Sequence, residues 1–131
     1  MNEPIWVLDE AVEHIHRLQI AGHGGATGIR DANLLTSALW RPKHPFSYAG
    51  AEATLSQLAA AYAFGIARNH PFIDGNKSTA FVVCLLFLRL NGYQVIATQE
   101  EKYQTFLALA EGRLSEDQLT EWLAAHCRTC N

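Results

Sequence analysis

Apolar residues recur at helical spacing along most of the chain, and clusters of glycine or proline separate the helical segments. The first helix has one apolar face, formed by Val12, Ile15 and Leu18. Asp9 is predicted to cap its N-terminus, and the glycine-rich stretch GHGGATG is predicted to end it. A short second helix, ANLLTSALW, is predicted to follow a cap at Asp31 and to stop before Pro42.

Two longer helices are predicted in the middle of the chain. The third runs from about Ala51 to Arg68, with its apolar residues three and four positions apart. The fourth starts near Asn76 and ends at Asn91-Gly92, because glycine commonly follows the last turn of a helix. Apolar residues surround the fourth helix on all sides, which predicts that it is the buried central helix.

The C-terminal third of the chain carries two signals for the start of a helix. Thr98 with Glu101, and Ser115 with Gln118, have the spacing of capping boxes and predict two more helices. YQVIA is predicted to be a short extended piece, but too few alternating segments remain to build a sheet. We therefore predict a single all-α domain over residues 1–131, a helical bundle around a buried central helix.

Composition narrows the class of protein without selecting a function. The 131 residues, 49% of them hydrophobic, suffice for one domain with its own core. The net charge of −3 and the lack of a basic stripe argue against nucleic-acid binding. There is no signal-peptide pattern, the longest apolar run is shorter than a membrane span, and the three cysteines are an odd number. These features predict a cytoplasmic protein that does not bind membranes.

The strongest chemical signal is NHPFIDGNKST at 69–79, which sets polar residues at the start of the central helix. The first turn of a helix binds anions through its open N–H groups, and Gly75, Asn76 and Lys77 suit such a corner for phosphate. Asp74 offers a carboxylate to Mg²⁺. His70 offers an imidazole that can accept a proton from a hydroxyl near neutral pH. The alternative is an ordinary polar turn, since His-Pro, Asp-Gly and Gly-Asn are all turn dipeptides.

The end of this stretch, GNKST, is not a P-loop. That motif requires glycine directly before the lysine, where this chain has Asn76, and a strand in front of it, where a helix is predicted. Phe72 alternates with the polar residues of the stretch and is predicted to point into the core, where it would fix the loop.

HPFIDGNKS resembles the signature of the Fic/Doc superfamily, H-P-F-x-[D/E]-G-N-[G/K]-R, and the lysine after GN is typical of its Doc branch. GIRDANLLTSALWRP, YAGAEATLSQLAAAYAFGIARNHPF and LLFLRLNGY are also similar to Doc-type sequences, so the resemblance covers residues 5 to 125. It implies a Fic/Doc-like helical fold and a toxin of a toxin–antitoxin module. It also implies a kinase that moves the γ-phosphate of ATP to a threonine of elongation factor Tu and halts translation.

The resemblance implies a role for each residue of the motif. His70 would be the general base, and Asp74 would place Mg²⁺. Gly75, Asn76 and Lys77 would form the phosphate hole. Lysine at this position narrows the hole and favours ATP bound with its γ-phosphate towards His70. The implied partner is a cognate Phd-like antitoxin, which folds as a helix into a groove of the toxin.

Ser78 departs from the family pattern, which has arginine at this position. In relatives this arginine binds the phosphates of the nucleotide, whereas serine supplies at most one neutral hydrogen bond. We therefore predict weakened or absent catalysis, with Arg68 either a substitute cation or a solvated residue at a helix end. Three functions remain: a kinase-type toxin, a Fic-like AMP-transferase, and a catalytically dead module that binds an antitoxin.

Residues 41–50, RPKHPFSYAG, contain two prolines and are predicted to be an extended loop rather than a helix. The resemblance makes this loop the counterpart of a flap that holds the target peptide by strand-like pairing. The alternative is a loop that Phe46 and Tyr48 pin to the surface.

The other polar residues are assigned structural roles. His14 and His16 face different sides of the first helix and cannot share a metal there. Arg30 and Asp31 are predicted to form an ion pair or a helix cap. HCRTC at 126–130 has only one C-x₂-C pair, too few ligands for a structural zinc site, and is predicted to be a frayed tail.

Overall fold

Seven helices and two short strands make up the computed structural model over the residues that it describes, 2–49 and 53–130. The helices are α1 (Asp9–His23), α2 (Ala32–Trp40), α3 (Lys43–Ala49), α4 (Leu55–Asn69), α5 (Asn76–Leu90), α6 (Gln99–Ala110) and α7 (Glu116–His126), and the strands are β1 (Tyr93–Val95) and β2 (Cys127–Thr129). The predicted all-α class is confirmed. None of the described helices is both long enough and apolar enough to cross a bilayer.

The centre of the fold is the pair formed by α4 and α5. α5 begins at Asn76, as predicted, and its neighbour α4 is enclosed just as fully, with buried alanines at 59–61, 63 and 67. A Cβ added at Gly65 of α4 would lie 3.1 Å from Cα of Ala38 in α2, so a larger residue would push the two helices apart. Tyr62 is buried between these elements, and its burial raises the pKa of the phenol to about 12.

Besides the start of α5, three further predicted helix starts are confirmed. The carboxylate of Asp31 accepts hydrogen bonds from the N–H groups of Asn33 (2.9 Å) and Leu34 (3.1 Å) at the start of α2. Thr98 with Glu101, and Ser115 with Gln118, form complete capping boxes at α6 and α7. Local sequence alone fixes these boundaries, because each cap satisfies N–H groups that lie within three residues of it.

Two other helix starts differ from the prediction. Asp9 does not cap α1 but is its first helical residue, and Leu8 occupies the capping position without a side-chain hydrogen bond. In the first turn the Asp9 carboxylate still faces the positive end of the helix dipole. The predicted start of the third helix at Ala51 lies outside the described residues. In the structure α4 begins at Leu55, after a capping box formed by Thr54 and Gln57.

The predicted extended loop at 41–50 is wrong, because residues 43–49 form the helix α3. Pro42 precedes this helix, and Pro45 is its third residue. Backbone N–H groups in the first turn of a helix have no partner within the helix, so proline costs no hydrogen bond there. Phe46 packs edge-on against Trp6, with ring centroids 5.9 Å apart, and holds α3 against the core. Position 50 lies outside the described residues.

The predicted frayed tail is also wrong. Cys127–Thr129 form β2, which pairs antiparallel with β1 in the register Tyr93↔Thr129 and Val95↔Cys127. The N–H of Cys130 then donates to the carbonyl of Gly92 at 2.9 Å. The two strands make a small sheet that the sequence pattern did not predict, because each contributes only three residues and they are distant in the chain.

Candidate active site

The loop that joins α4 to α5 begins at His70, whose backbone is left-handed with φ 50° and ψ 55°. Among the described residues it is the one non-glycine residue with positive φ. The Arg30 side chain secures this turn, because its Nε donates to the carbonyl of His70 at 2.7 Å and its Nη2 to that of Asn69 at 2.9 Å. Arg30 was predicted to form an ion pair or a cap, and the structure makes it a cap on the C-terminus of α4. The His70 side chain is exposed at this end of the helix.

The segment between α1 and α2 forms backbone hydrogen bonds with the same loop. The carbonyl of Pro71 accepts from the N–H groups of Arg30 (2.7 Å) and Asp31 (3.1 Å), and Ile73 donates from its N–H to the carbonyl of Gly28 at 3.1 Å. These backbone bonds hold the loop in one conformation. Strain at a left-handed histidine persists only where surrounding contacts of this kind impose it.

The side chain of Asn76 bonds back to the backbone of the loop. Its amide nitrogen donates to the carbonyl of Phe72 at 2.9 Å, and its amide oxygen accepts from the N–H of Phe72 at 3.0 Å. Phe72 is 1% exposed, which confirms that it points into the core. The prediction that the Asn76 side chain donates to a ligand is wrong in this structure, because that side chain is 7% exposed and engaged with Phe72. Asn76 can contribute its backbone N–H to the phosphate corner.

The buried ring of His16 in α1 contacts the loop, a role that the sequence did not reveal. Its ring stacks on Phe72 with 3.8 Å between centroids and 7° between planes. Its Nε2 donates to the carbonyl of Asp74 at 2.8 Å, and only 2% of the residue is exposed. The exposed His14 lies on the other side of α1, as predicted. No local signal identifies His16, because its partners lie more than fifty residues away in the chain.

The N-terminus of α5 is open. Gly75 occupies the capping position with φ 79°, and no side chain of the described residues bonds to the first N–H groups of the helix. A Cβ added at Gly75 would lie 3.0 Å from Cδ1 of Ile20, so both the conformation and the close approach to α1 favour glycine. The N–H groups of residues 76–78 therefore have no side-chain partner among the described residues, and together with the positive end of the dipole they can bind an anion.

Asp74 presents its carboxylate beside this corner. The side chain is exposed, and its Oδ2 accepts from the N–H of Ala26 at 2.7 Å. Within the described ranges no three His, Cys, Asp or Glu side chains form a metal-binding group. One carboxylate fits Mg²⁺ when substrate phosphates and water supply the other oxygens, because Mg²⁺ commonly binds in this way.

Lys77 and Ser78 form the outer side of the first turn of α5. The Nζ of Lys77 lies 4.9 Å from the ring centroid of Tyr103 in α6, within the range of a cation–π contact. The hydroxyl of Ser78 donates to the carbonyl of Gly75 at 3.3 Å, so its hydrogen turns back onto the chain. Arg68 does not replace the missing arginine, because its guanidinium lies 6.0 Å from the Phe64 ring and packs beside Gly112, at the opposite end of α6 from Tyr103.

The structure thus places the predicted site residues on one loop and the helix turn that follows it. The exposed His70 and Asp74 lie on the loop that leads into α5, Gly75 occupies the capping position, and Lys77 lies in the first turn. The side chain of Asn76 turns inward and that of Ser78 turns back onto Gly75. Sequence reasoning did not place His16, Ala26 and Arg30 at this corner, although it gave Arg30 a structural role.

Comparison with known proteins agrees with the motif. The family model described as Fic/DOC family matches residues 6–88, more than half of the chain. Toxin Doc of Mycolicibacterium smegmatis is 40% identical over 74 residues, which are 56% of this chain and 57% of that protein. Protein kinase doc of Escherichia phage P1 is 34% identical over 118 residues, which are 89% of this chain and 91% of that protein.

Proposed function

Because the chain belongs to the Fic/DOC family, in its Doc branch, we propose that it is the toxin of a toxin–antitoxin module. In this proposal it transfers the terminal phosphate of ATP to a threonine of elongation factor Tu in the cytoplasm and so blocks translation. One similar protein is named a toxin and the other a protein kinase, and both names support the proposal. A cognate Phd-like antitoxin is the proposed partner.

The observation that carries this proposal is that one short loop joins the exposed His70 to the open N-terminus of α5. The exposed imidazole sits at the left-handed end of α4, and the loop that follows leads in six residues to uncapped N–H groups. Phosphoryl transfer requires little more than an oriented hydroxyl, a held phosphate and neutralised charge. In this proposal His70 supplies the base that engages the hydroxyl, and the open N–H groups of α5 supply the site that holds the phosphate.

Each residue of the corner has a task in this reaction. His70 accepts the proton of the target hydroxyl as its oxygen attacks the terminal phosphorus, and the bond from that phosphorus to the β,γ-bridging oxygen breaks to release ADP. The N–H groups at the start of α5 and the ammonium group of Lys77 hold the phosphate oxygens by charge and hydrogen bonds. Asp74 would hold Mg²⁺, which when bound neutralises charge on the phosphates. Arg30 and His16 act only through the loop, which they fix in position.

Ser78 weakens phosphate binding at the start of α5, because its side chain is neutral and its hydroxyl donates to the carbonyl of Gly75. A planar guanidinium binds two phosphate oxygens at once, and a hydroxyl cannot replace it. The same residue favours a second candidate function, an antitoxin-binding module without turnover. That alternative predicts tight binding to an antitoxin peptide and no modified target.

Intact-mass spectrometry of elongation factor Tu tests the proposal. The purified target is incubated with Mg²⁺, ATP and one of four proteins: the native chain, Ser78→Arg, His70→Ala, or the double variant. A gain of one phosphate on threonine with Ser78→Arg, absent when His70 is also replaced, is the expected result. A gain of AMP would instead support the AMP-transferase. An unmodified target with Ser78→Arg would favour the binding module.

A further inference from the structure

The backbone of residues 24–28, which we call the glycine segment, is held at both ends. At one end the N–H of Gly24 donates to the carbonyl of Ile20 in α1 at 2.8 Å. At the other end the carbonyl of Gly28 accepts from the N–H of Ile73 at 3.1 Å, in the loop between α4 and α5. The middle of the glycine segment therefore has a fixed position beside that loop.

The middle of the glycine segment contacts the side chain of Asp74. The N–H of Ala26 donates to Oδ2 of this carboxylate at 2.7 Å, although both residues are exposed. The other carboxylate oxygen, Oδ1, accepts no hydrogen bond from the part of the chain that the structure describes. The glycine segment thus engages one oxygen of the carboxylate and leaves the second one open to a ligand.

Gly25 makes this close approach possible. A Cβ added at Gly25 would lie 3.1 Å from Cβ of Asp74 and 3.3 Å from its Oδ2, so an alanine would displace the carboxylate or the segment. The φ of Gly25 is 110°, a value that also favours glycine. Gly24 has a positive φ of 85° as well, but a Cβ there would meet no atom of the described residues within 4 Å. The two glycines therefore share a backbone requirement and differ in their contact with Asp74.

We propose that Gly25 and Ala26 are positioning residues for phosphate transfer, because they orient the Asp74 carboxylate for Mg²⁺. The inference rests on the proposed function, in which Asp74 would hold this ion. Mg²⁺ usually keeps several waters and binds one or two carboxylates together with substrate phosphates. Carboxylates that bind metals are commonly oriented by hydrogen bonds, and loss of such a partner typically lowers metal affinity about 10- to 100-fold. The N–H of Ala26 is a partner of this kind.

Two alanine substitutions test the proposal. Gly25→Ala and Gly24→Ala both place a side chain at a positive φ, but only the first one meets Asp74. Calorimetric titration of the whole protein measures the affinity for ATP, once with Mg²⁺ and once with EDTA. Gly25→Ala should weaken ATP binding about tenfold with Mg²⁺ and leave it within about twofold with EDTA. Gly24→Ala should leave both affinities within about twofold of the native values.

The same titrations in an Asp74→Asn background separate positioning from a purely structural role. Asparagine keeps an acceptor for the N–H of Ala26 but lacks the charge that binds the ion. If Gly25 acts through the carboxylate, Gly25→Ala should cause no further loss of ATP affinity in this background. A loss that persists there, or equal losses for Gly24→Ala and Gly25→Ala, would overturn the positioning role while the proposed function stands.

Hydrogen exchange measured by NMR tests the contact without nucleotide or metal. The N–H of Ala26 should exchange at least about tenfold faster in Asp74→Ala than in the native chain, because a hydrogen bond to a charged group is lost. Equal exchange rates would overturn the proposal. A native chain that does not bind ATP would refute the proposed function and the metal role with it, and the exchange rates would then show whether the glycine segment still orients Asp74.

Discussion

His16 lies face to face on Phe72, with 3.8 Å between the ring centroids and 7° between the ring planes. From this position its Nε2 donates to the carbonyl of Asp74 at 2.8 Å. The buried side chain of His16 therefore makes two contacts with the loop. Its ring packs on Phe72, and its Nε2 bonds to the backbone of Asp74. The orientation of Asp74 and Gly75 depends on a residue that has no access to substrate.

We predict that His16→Phe keeps the stacking and loses the donor. The loss of this hydrogen bond should lower the free energy of unfolding by about 1 kcal/mol. Urea unfolding measures the change, and His14→Phe, at an exposed position of the same helix, is the control. The affinity for Mg²⁺ and ATP should fall only in His16→Phe. Equal behaviour of the two variants would mean that His16 does not position the loop.

Two substitutions at His70 should differ in the stability of the fold although both abolish phosphate transfer. Left-handed backbone costs a residue with a side chain roughly 1–2 kcal/mol, and glycine avoids this cost. We therefore expect His70→Gly to be more stable than His70→Ala by about 1 kcal/mol, although both variants lose phosphate transfer. Thermal unfolding of the two variants makes the comparison. An alanine variant as stable as the glycine variant would contradict the left-handed conformation at this position.

Ser78→Arg should restore activity to the corner. Arginine contributions to phosphoryl transfer are large, so we expect the rate of target modification to rise at least about a hundredfold. Ser78→Lys is the matched control, because it adds the charge without the planar fork and should restore less. Induced expression in a bacterial host gives a second measurement. Normal growth with Ser78→Arg, together with an unmodified target, would refute the toxin proposal.

The capping box of α6 should make stability depend on pH. The Thr98 N–H donates to the Glu101 carboxylate at 3.0 Å, and this bond lowers the pKa of Glu101. Because the folded-state pKa lies below the unfolded-state value, the stabilisation is present above the unfolded-state pKa. It is lost as pH falls through the folded-state pKa. Glu101→Gln should therefore lower the urea midpoint at pH 7 more than at acidic pH.

The control for this measurement is Glu100→Gln, in the same exposed turn but outside the capping box. Because Glu100 makes no bond to the Thr98 N–H, its replacement should change the midpoint less between the two pH values than Glu101→Gln does. A constant difference between Glu101→Gln and the native chain across the pH range would show that the box does not depend on the charge of Glu101.

The sequence predicted those features that depend on neighbouring residues. The capping boxes at Thr98 and Ser115, the cap at Asp31 and the start of α5 at Asn76 each involve contacts within a few positions. The motif at 69–79 likewise identified the corner, because its residues are adjacent in the chain.

The failures have two physical sources. Pro45 was treated as a helix breaker, but it lies in the first turn of α3, where a missing N–H has no cost. The other failures depend on contacts between distant segments, which a local pattern does not contain. β2 forms only because β1 is beside it, and the Asn76 side chain turns inward because Phe72 offers it both a donor and an acceptor.

The most direct test of the account is to follow the phosphorus atoms of ATP. Ser78→Arg is incubated with Mg²⁺, elongation factor Tu and ATP labelled at either the γ- or the α-phosphate, with Ser78→Arg/His70→Ala as the matched control. The account predicts that the γ-label alone is transferred to the target and that the control transfers neither label. Transfer of the α-label, or transfer that persists without the imidazole, would contradict it.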